Sequence, residues 1–427
     1  MVGVGGLEPP TSRTRTVRAT KLRHTPTVGT IYYNNIGGWL STRRGALSGG
    51  RMRLLTLQLH NFRNYESLQL APDAGLNLIT GENAQGKTNL LEAIYLLATG
   101  RALRAGREEE LIRWGAEEAS VRAEVHREQA LEVRVEMRLS RHQPRQVLVD
   151  GQSYRASAAL GLFNVVAFSA MDLEVVRGQP ADRRRYLDVE IGMLSPAYVR
   201  ALAGYRRALE QRNRLLKSLR ESGGTLTPSV IDLLEAWDEQ LVRFGSSLMV
   251  ARERFVCALR PLAREAHAEL SEGRELLDIR YAPALEEVSA EREQVAERFR
   301  QQLQQARAEE IRRGTTLVGP QRDDLLLFVD GKEARTYASQ GQQRTVMLSL
   351  KRAEFELTLQ ERGEPPIVLL DDVMSDLDDL RRAQLLRMTL RGAQAFITAT
   401  SAETFPQEIL AVARTYRVRQ GQLEAVQ

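Results

Sequence analysis

The chemistry available to this chain is concentrated in Gly81-Glu82-Asn83-Ala84-Gln85-Gly86-Lys87-Thr88, followed by Asn89. The spacing is G-x-x-x-x-G-K-T. Gly81 and Gly86 let the backbone curl and turn its N–H groups inward, toward phosphate oxygens. Lys87 is placed to reach the β- and γ-phosphates, and the Thr88 hydroxyl to hold Mg2+. The chemistry is that of binding a nucleoside triphosphate such as ATP. Such a loop works only between a strand and a helix, and both flanks fit. Leu76-Asn77-Leu78-Ile79 is short and apolar, like a buried strand, and Leu90, Ile94 and Leu97 recur at helical spacing after the loop. The start of that helix adds a dipole that favours anions.

A second constellation completes the first. Ile367-Val368-Leu369-Leu370 runs into Asp371-Asp372. A carboxylate at the end of a buried strand can orient Mg2+, usually through water, and that role is assigned to Asp371. The next carboxylate, Asp372, is placed to orient or deprotonate an attacking water, with Lys87 as its catalytic partner. Alone, two acids after a strand can be an ordinary turn; beside the phosphate loop they read as the second half of an ATPase site. Ser339-Gln340-Gly341-Gln342 opens another helical stretch and resembles the S-x-G-Q signature of ABC-type ATPases. The Ser339 hydroxyl, Gly341 and Gln342 make a second anion cradle at a helix N-terminus. Lys87 already serves the one γ-phosphate of its own chain. In ABC-type proteins such a cradle faces the ATP of a second subunit. The competing reading is a plain helix cap at Ser339.

These motifs need a sizeable scaffold, and 427 residues supply one. The single cysteine, Cys257, excludes a disulfide framework and a cysteine zinc site, and fits a reducing, cytoplasmic compartment. The five histidines show no ligand spacing, and no apolar run is long enough to span a bilayer. The net charge of +5 is unevenly spread: residues 1–51 hold eight Lys/Arg and one Glu, whereas residues 52–427 hold 52 Lys/Arg and 54 Asp/Glu. The body of the chain is therefore slightly acidic, and any nucleic-acid contact must rest on local patches.

Residues 1–51 are expected to be a disordered or mis-annotated N-terminal extension, dispensable for ATP and DNA binding. From Arg53 to Leu59 the chain alternates like an edge strand. Residues 118–150 alternate apolar and charged positions and end in the turn pair Asp150-Gly151, an antiparallel β layer inserted after the phosphate helix. Residues 52–180 thus form the first part of an ATPase head. Residues 181–313 read as an inserted helical lobe, too interrupted for long coiled-coil arms. Residues 314–427 carry the rest of the head, with Asp330-Gly331 as another turn and Ala395–Thr398 as a last buried strand. The fold class is α/β.

The motifs together, with Ser375-Asp376-Leu377-Asp378 after the acidic strand, closely resemble the RecF family of bacterial recombination-repair ATPases, related to SMC and ABC proteins. Asn61-Phe62-Arg63-Asn64-Tyr65, Phe168-Ser169 with Asp172-Leu173, Arg183-Arg184-Arg185-Tyr186-Leu187-Asp188 and Gly319-Pro320-Gln321-Arg322-Asp323-Asp324 carry the same resemblance, from about Met52 to the C-terminus. It implies an ABC/SMC-like head and adds Asp378 and Thr400 to the nucleotide-binding residues. Thr400 stands where transporters have a switch histidine, and no glutamine marks a Q-loop near Ser169–Asp172. The family often has histidine at Gln321 and glutamate at Asp376. The resemblance also implies a weak, DNA-stimulated ATPase acting as an ATP-dependent homodimer on double-stranded DNA and single/double-strand junctions. Its partners would be RecR and RecO, and its task to help load RecA onto gaps.

Candidate DNA contacts are Arg183, Arg184, Arg206, Arg207, Arg214 and Lys217. The alternative for them is a solvated helix face with pairs such as Arg206–Glu210. Three other functions compete: an ATP-gated DNA clamp in which hydrolysis is a slow timer, a transporter ATPase subunit, and a small-molecule kinase. The missing switch histidine, the β layer and the helical segment argue against a transporter. A kinase would have no use for Ser339-x-Gly341-Gln342.

Overall fold

The computed structural model describes residues 51–426, apart from 105, 128–129, 155–159, 224–225, 286–290, 375–376, 378 and 390–391. The expectations for residues 1–50 and for Ser375, Asp376 and Asp378 fall outside the described residues.

In chain order, β1 (Arg53–Phe62), β2 (Tyr65–Leu70) and β3 (Leu76–Thr80) precede α1 (Lys87–Thr99), the helix opened by the phosphate loop. Next come β4 (Glu118–Arg127), β5 (Ala130–Ser140), β6 (Gln146–Val149), β7 (Gln152–Tyr154) and β8 (Val165–Phe168). The helical stretch holds α2 (Pro180–Leu194), α3 (Pro196–Glu221), α4 (Pro228–Leu270), β9 (Leu277–Ala282) and α5 (Arg292–Arg313). The remainder is β10 (Asp324–Val329), β11 (Lys332–Glu333), α6 (Gln340–Arg362), β12 (Ile367–Asp371), α7 (Asp379–Thr389), β13 (Ala395–Ala399), β14 (Arg414–Arg419) and β15 (Gln422–Ala425).

The central sheet runs β15-β14-β3-β13-β12-β8, parallel except for the β14–β15 hairpin. Strands β3, β13, β12 and β8 are mostly apolar because both faces are covered, and successive residues feed different cores. Val166, Phe168, Val368, Leu370, Ala395 and Ile397 pack with α2, α4 and α6. Val165, Ala167, Ile367, Leu369 and Phe396 pack instead with α1 and the antiparallel sheet β2-β1-β4-β5-β6-β7. The α/β head with an antiparallel layer is therefore present as expected.

Three local expectations change. β1 is an interior strand, paired with β2 on one side and β4 on the other, because the layer folds back onto it. Ala395–Ala399 is not the last strand: β14 adds to β3 and turns through Gln420-Gly421 into β15. The boundary at 313 also cuts a sheet. β9, inside the helical stretch, pairs with β10 beyond it, alternating buried Leu277, Ile279 and Tyr281 with outward Asp278 and Arg280. One hydrophobic core joins α2, α3, α4 and α6 to the parallel sheet, so the helices share the head's interior. The turns at Asp150-Gly151 and Asp330-Gly331 are as read: both residues of each pair have positive φ, as a tight hairpin requires.

Candidate nucleotide site

The parallel strands deliver the site residues at their C-terminal ends, where α/β sheets place ligands. Register sets Asp371 beside Thr398, and Thr398 beside Ile79, two residues before Gly81. Phe168 pairs with Leu370, so Ser169 arrives at the same edge. These ends surround a cavity of about 600 Å3, lined by Asn83, Ala84, Gly86, Lys87, Thr88, Asn89, Asp371 and Asp372 among others.

The phosphate loop is braced from behind. The Asn64 side chain donates to Gln85 O at 2.8 Å and accepts from Asn89 Nδ2 at 2.8 Å, and Tyr65 OH donates to Gly86 O at 3.0 Å. Gln85 Oε1 accepts from Gln420 N at 2.7 Å, tying the loop to the β14–β15 turn. Two positions require glycine. Gly86 has φ 118°, and a Cβ there would stand 2.6 Å from Asn64 Nδ2. Gly81 has φ 150°, and its Cβ would stand 2.4 Å from Val418 O. The α1 N-terminus has no side-chain cap, which leaves its first N–H groups to an anion. Lys87 Nζ donates to Gly81 O at 2.6 Å and Glu82 O at 2.8 Å. Burial lowers the Lys87 pKa below the ordinary lysine value, against the pull of Asp372 and Asp371.

Thr88 and Asp371, 283 residues apart in sequence, meet: Thr88 Oγ1 donates to Asp371 Oδ1 at 2.8 Å. A hydroxyl and a carboxylate side by side are hard oxygen donors of the kind that fit Mg2+. Thr398, which the sequence reading gave no role, lies under both acids. Its Oγ1 is 3.0 Å from Asp371 Oδ1 and accepts from the Asp372 backbone N–H at 2.9 Å. Asp372 takes φ 53°, a strained conformation for a residue with a side chain, which aims the backbone back over the strand end. Thr400, expected to contact nucleotide, is exposed just past the end of β13.

Arg104 and Arg344 also line the cavity, and the sequence reading missed Arg104 altogether. Where a Q-loop glutamine was sought, Ser169 and Asp172 form a capping box, and Asp172 Oδ1 lies 3.2 Å from the buried Lys351 on α6. Burial disfavours the Lys351 ammonium, but Asp172, Glu354 and Glu190 outweigh it and hold its pKa well above the ordinary value.

The signature residues sit elsewhere. Ser339 caps α6: its Oγ accepts from Gln342 N at 3.2 Å, and Gln342 Oε1 accepts from Ser339 N at 2.8 Å. Ser339, Gln340 and Gly341 are exposed and do not line the cavity of their own chain.

The proposed DNA contacts need correction. Arg183 is buried and makes a two-pronged bond to Asp324, both arms at 2.7 Å, so its guanidinium has no access to a phosphate. Arg184 is half-buried and donates to Asp323 O at 2.8 Å. Arg206 pairs with Asp188 at 2.9 Å rather than with Glu210, which pairs with Arg214. Lys217 lies 4.0 Å from Glu221. Of the six, Arg207 alone is exposed and forms no ion pair among the described residues.

Fold and site together define a P-loop ATPase head of the ABC/SMC type. Residues 53–424 match the family model described as RecF/RecN/SMC N terminal domain. The chain is 41% identical over 372 residues to the DNA replication and repair protein RecF of Oceanobacillus iheyensis, covering 87% of this chain and 99% of that protein. It is 44% identical over 376 residues to that of Symbiobacterium thermophilum, covering 87% and 97%. A solved structure of the recombination mediator protein RecF with ATP, in the RecFOR pathway, superposes with TM-score 0.82 at 33% identity, covering 90% of this chain and all of that one. An Smc head domain from Pyrococcus yayanosii shares the fold alone, at 14% identity and TM-score 0.51, covering 88% of this chain and 97% of that one. The chain belongs to the RecF family of DNA replication and repair proteins and carries that family's ATP-binding ATPase domain.

Proposed function

We propose that the chain is a weak, Mg2+-dependent and DNA-stimulated ATPase that pairs with a second copy around ATP. Lys87 and the uncapped start of α1 would hold the phosphates, Thr88 and Asp371 the metal, and Asp372 the attacking water. Thr88 and Asp371 would hold Mg2+, whose charge would offset that of the phosphates. Thr398 would keep both carboxylates in register. The observation that carries the paired arrangement is the position of Ser339 and Gly341: a glycine-bearing helix start, exposed, outside the cavity of its own chain. In the dimer each Ser339 would reach the γ-phosphate held by its partner.

The dimer would sit on double-stranded DNA near single-strand gaps, in the cytoplasm, with RecO and RecR as partners in loading RecA. Family membership supports this reading, as does the relative in the RecFOR pathway. Among the described residues no helix is long and apolar enough to cross a membrane. Arg206, Arg207, Arg214 and Lys217 are exposed and stay as candidates for phosphate contacts. The slow-timer variant of this function, a clamp in which binding does the work, is favoured by the short aspartate at position 372.

Sedimentation velocity tests the proposal. With Asp372→Asn to slow turnover and Mg2+ present, the protein should be monomeric alone and dimeric with ATP. Ser339→Arg should keep ATP binding and lose the dimer. ATP binding lost in that variant would place Ser339 in its own chain's site and refute the paired arrangement.

A further inference from the structure

Gln342 is held from two sides. Its Oε1 accepts from the Ser339 backbone N–H at 2.8 Å, and its Nε2 donates to Glu275 Oε1 at 3.1 Å. The other Glu275 oxygen lies 3.2 Å from His267 Nε2, and His267 Nδ1 lies 3.1 Å from Ser349 Oγ. His267, near the end of α4, and Ser349, within α6, are fully buried. Three elements converge on one amide: the end of α4, the connection into β9 and the first turn of α6.

Counting donors and acceptors fixes the direction of both bonds to Glu275. A carboxylate only accepts, so both groups facing Glu275 must donate: Gln342 through its NH2, His267 through Nε2–H. The Gln342 amide oxygen is thereby turned onto the Ser339 N–H. The Ser339 hydroxyl oxygen in turn accepts from the Gln342 N–H at 3.2 Å. Its own hydrogen is then left to point outward, where an anionic oxygen can take it. With the amide turned over, NH2 would face N–H and the capping box would open.

Neutral His267 satisfies the arrangement, with Nε2–H on Glu275 and Nδ1 accepting from Ser349. Burial lowers the His267 pKa below 6.5; Glu275 and Asp330 pull it upward and Arg381 pushes it down. Protonation places a hydrogen on Nδ1, and Ser349 can then donate instead to Thr345 O, 2.6 Å away. The Nε2–H bond to Glu275 survives in both states.

We infer that Glu275, backed by His267, is a positioning residue for the second phosphate cradle: it sets the Gln342 amide so that Ser339 presents its hydroxyl hydrogen to the nucleotide of another copy. The inference rests on the proposed paired arrangement of Ser339.

The test uses the full chain carrying Asp372→Asn, with Mg2+ and ATP, and reads the dimer by sedimentation velocity from about pH 5.5 to 8, spanning the ordinary histidine range. Glu275→Ala should weaken ATP-driven dimerisation about tenfold or more, since the Ser339 contact it misplaces recurs at both sites of a symmetric pair. ATP binding by the monomer should not change. Glu275→Gln should restore the dimer near pH 8. There its amide oxygen accepts from Gln342, and its NH2 donates to neutral His267 Nε2. Removing the Glu275 charge lowers the His267 pKa further, so the Glu275→Gln dimer should hold across the pH range. Loss of the dimer in Glu275→Ala with monomer ATP binding unchanged, and its rescue by Glu275→Gln, separates positioning from a general loss of folding. A Glu275→Ala dimer as tight as the parent's, or no rescue by Glu275→Gln, overturns the inference. A parent that stays monomeric with ATP sinks the paired arrangement first, and the positioning role with it.

Discussion

Two helix starts in this molecule offer themselves to phosphate, and they are built in opposite ways. α1 begins without a side-chain cap; its loop is exposed at Glu82–Ala84 but buried at Gly86 and Lys87 and braced from behind by Asn64, Tyr65 and Gln420. A Cβ at Gly86 would meet Asn64 at 2.6 Å. α6 begins with its own cap from Ser339, yet the turn stands in the open, and a Cβ at Gly341 would come no nearer than 3.9 Å to Ser339 Oγ. The first start satisfies everything except its leading N–H groups, so an anion is the missing partner. The second caps its Gln342 N–H internally and keeps the Ser339 hydroxyl hydrogen to give. The contrast teaches that the same local device can serve its own chain or a neighbouring one, depending on what packs around it.

The largest test of that contrast removes the charge from the buried start. Lys87→Ala should weaken ATP binding roughly a hundredfold, the worth of a charge-assisted contact to phosphate, as calorimetry would show. Unchanged affinity would mean that the loop N–H groups alone hold the nucleotide. Asn64→Ala removes the brace without touching the ligand. Two lost hydrogen bonds, each worth about 1 kcal/mol, should cost up to about thirtyfold in ATP affinity and lower the melting temperature. Affinity retained with a lower melting temperature would show the brace to be structural only. The smallest effect is expected from Thr398→Val, which takes one oxygen from beneath Asp371 and Asp372. ATP binding should stay within about twofold while steady-state turnover falls about three- to tenfold, the worth of one ordinary hydrogen bond of about 1 kcal/mol. Loss of binding instead would mean that Thr398 shapes the phosphate pocket rather than the acids.

Much of this was readable from the chain because it depends on contiguous residues. A G-x-x-x-x-G-K-T loop carries its own turn, its own charge and the first residues of its own helix. The apolar runs at 76–80, 165–168, 367–371 and 395–399 declare strands buried on both faces, and all four lie in the central sheet. The harder features depend on what lies across the fold. Arg183 reads like its two neighbours in a run of three arginines, and only the arrival of Asp324, 141 residues later, marks it as an interior group. Thr398 and Thr400 are alike in sequence, and strand register decides which one meets the acids. β9 looked like part of a helical stretch because its partner strand, β10, follows a whole further helix.

The sequence by itself determined which chemistry is possible: phosphate binding, a pair of acids at a strand end, and a second cradle at Ser339, because each needs only neighbouring residues of the right type. The tertiary structure decided which groups can use that chemistry. It set Thr88 against Asp371, buried Arg183, and wired Gln342 through Glu275 to His267. Such choices are made by packing and register, since a side chain pairs with whatever the fold brings within about 3 Å of it, however far away in the chain.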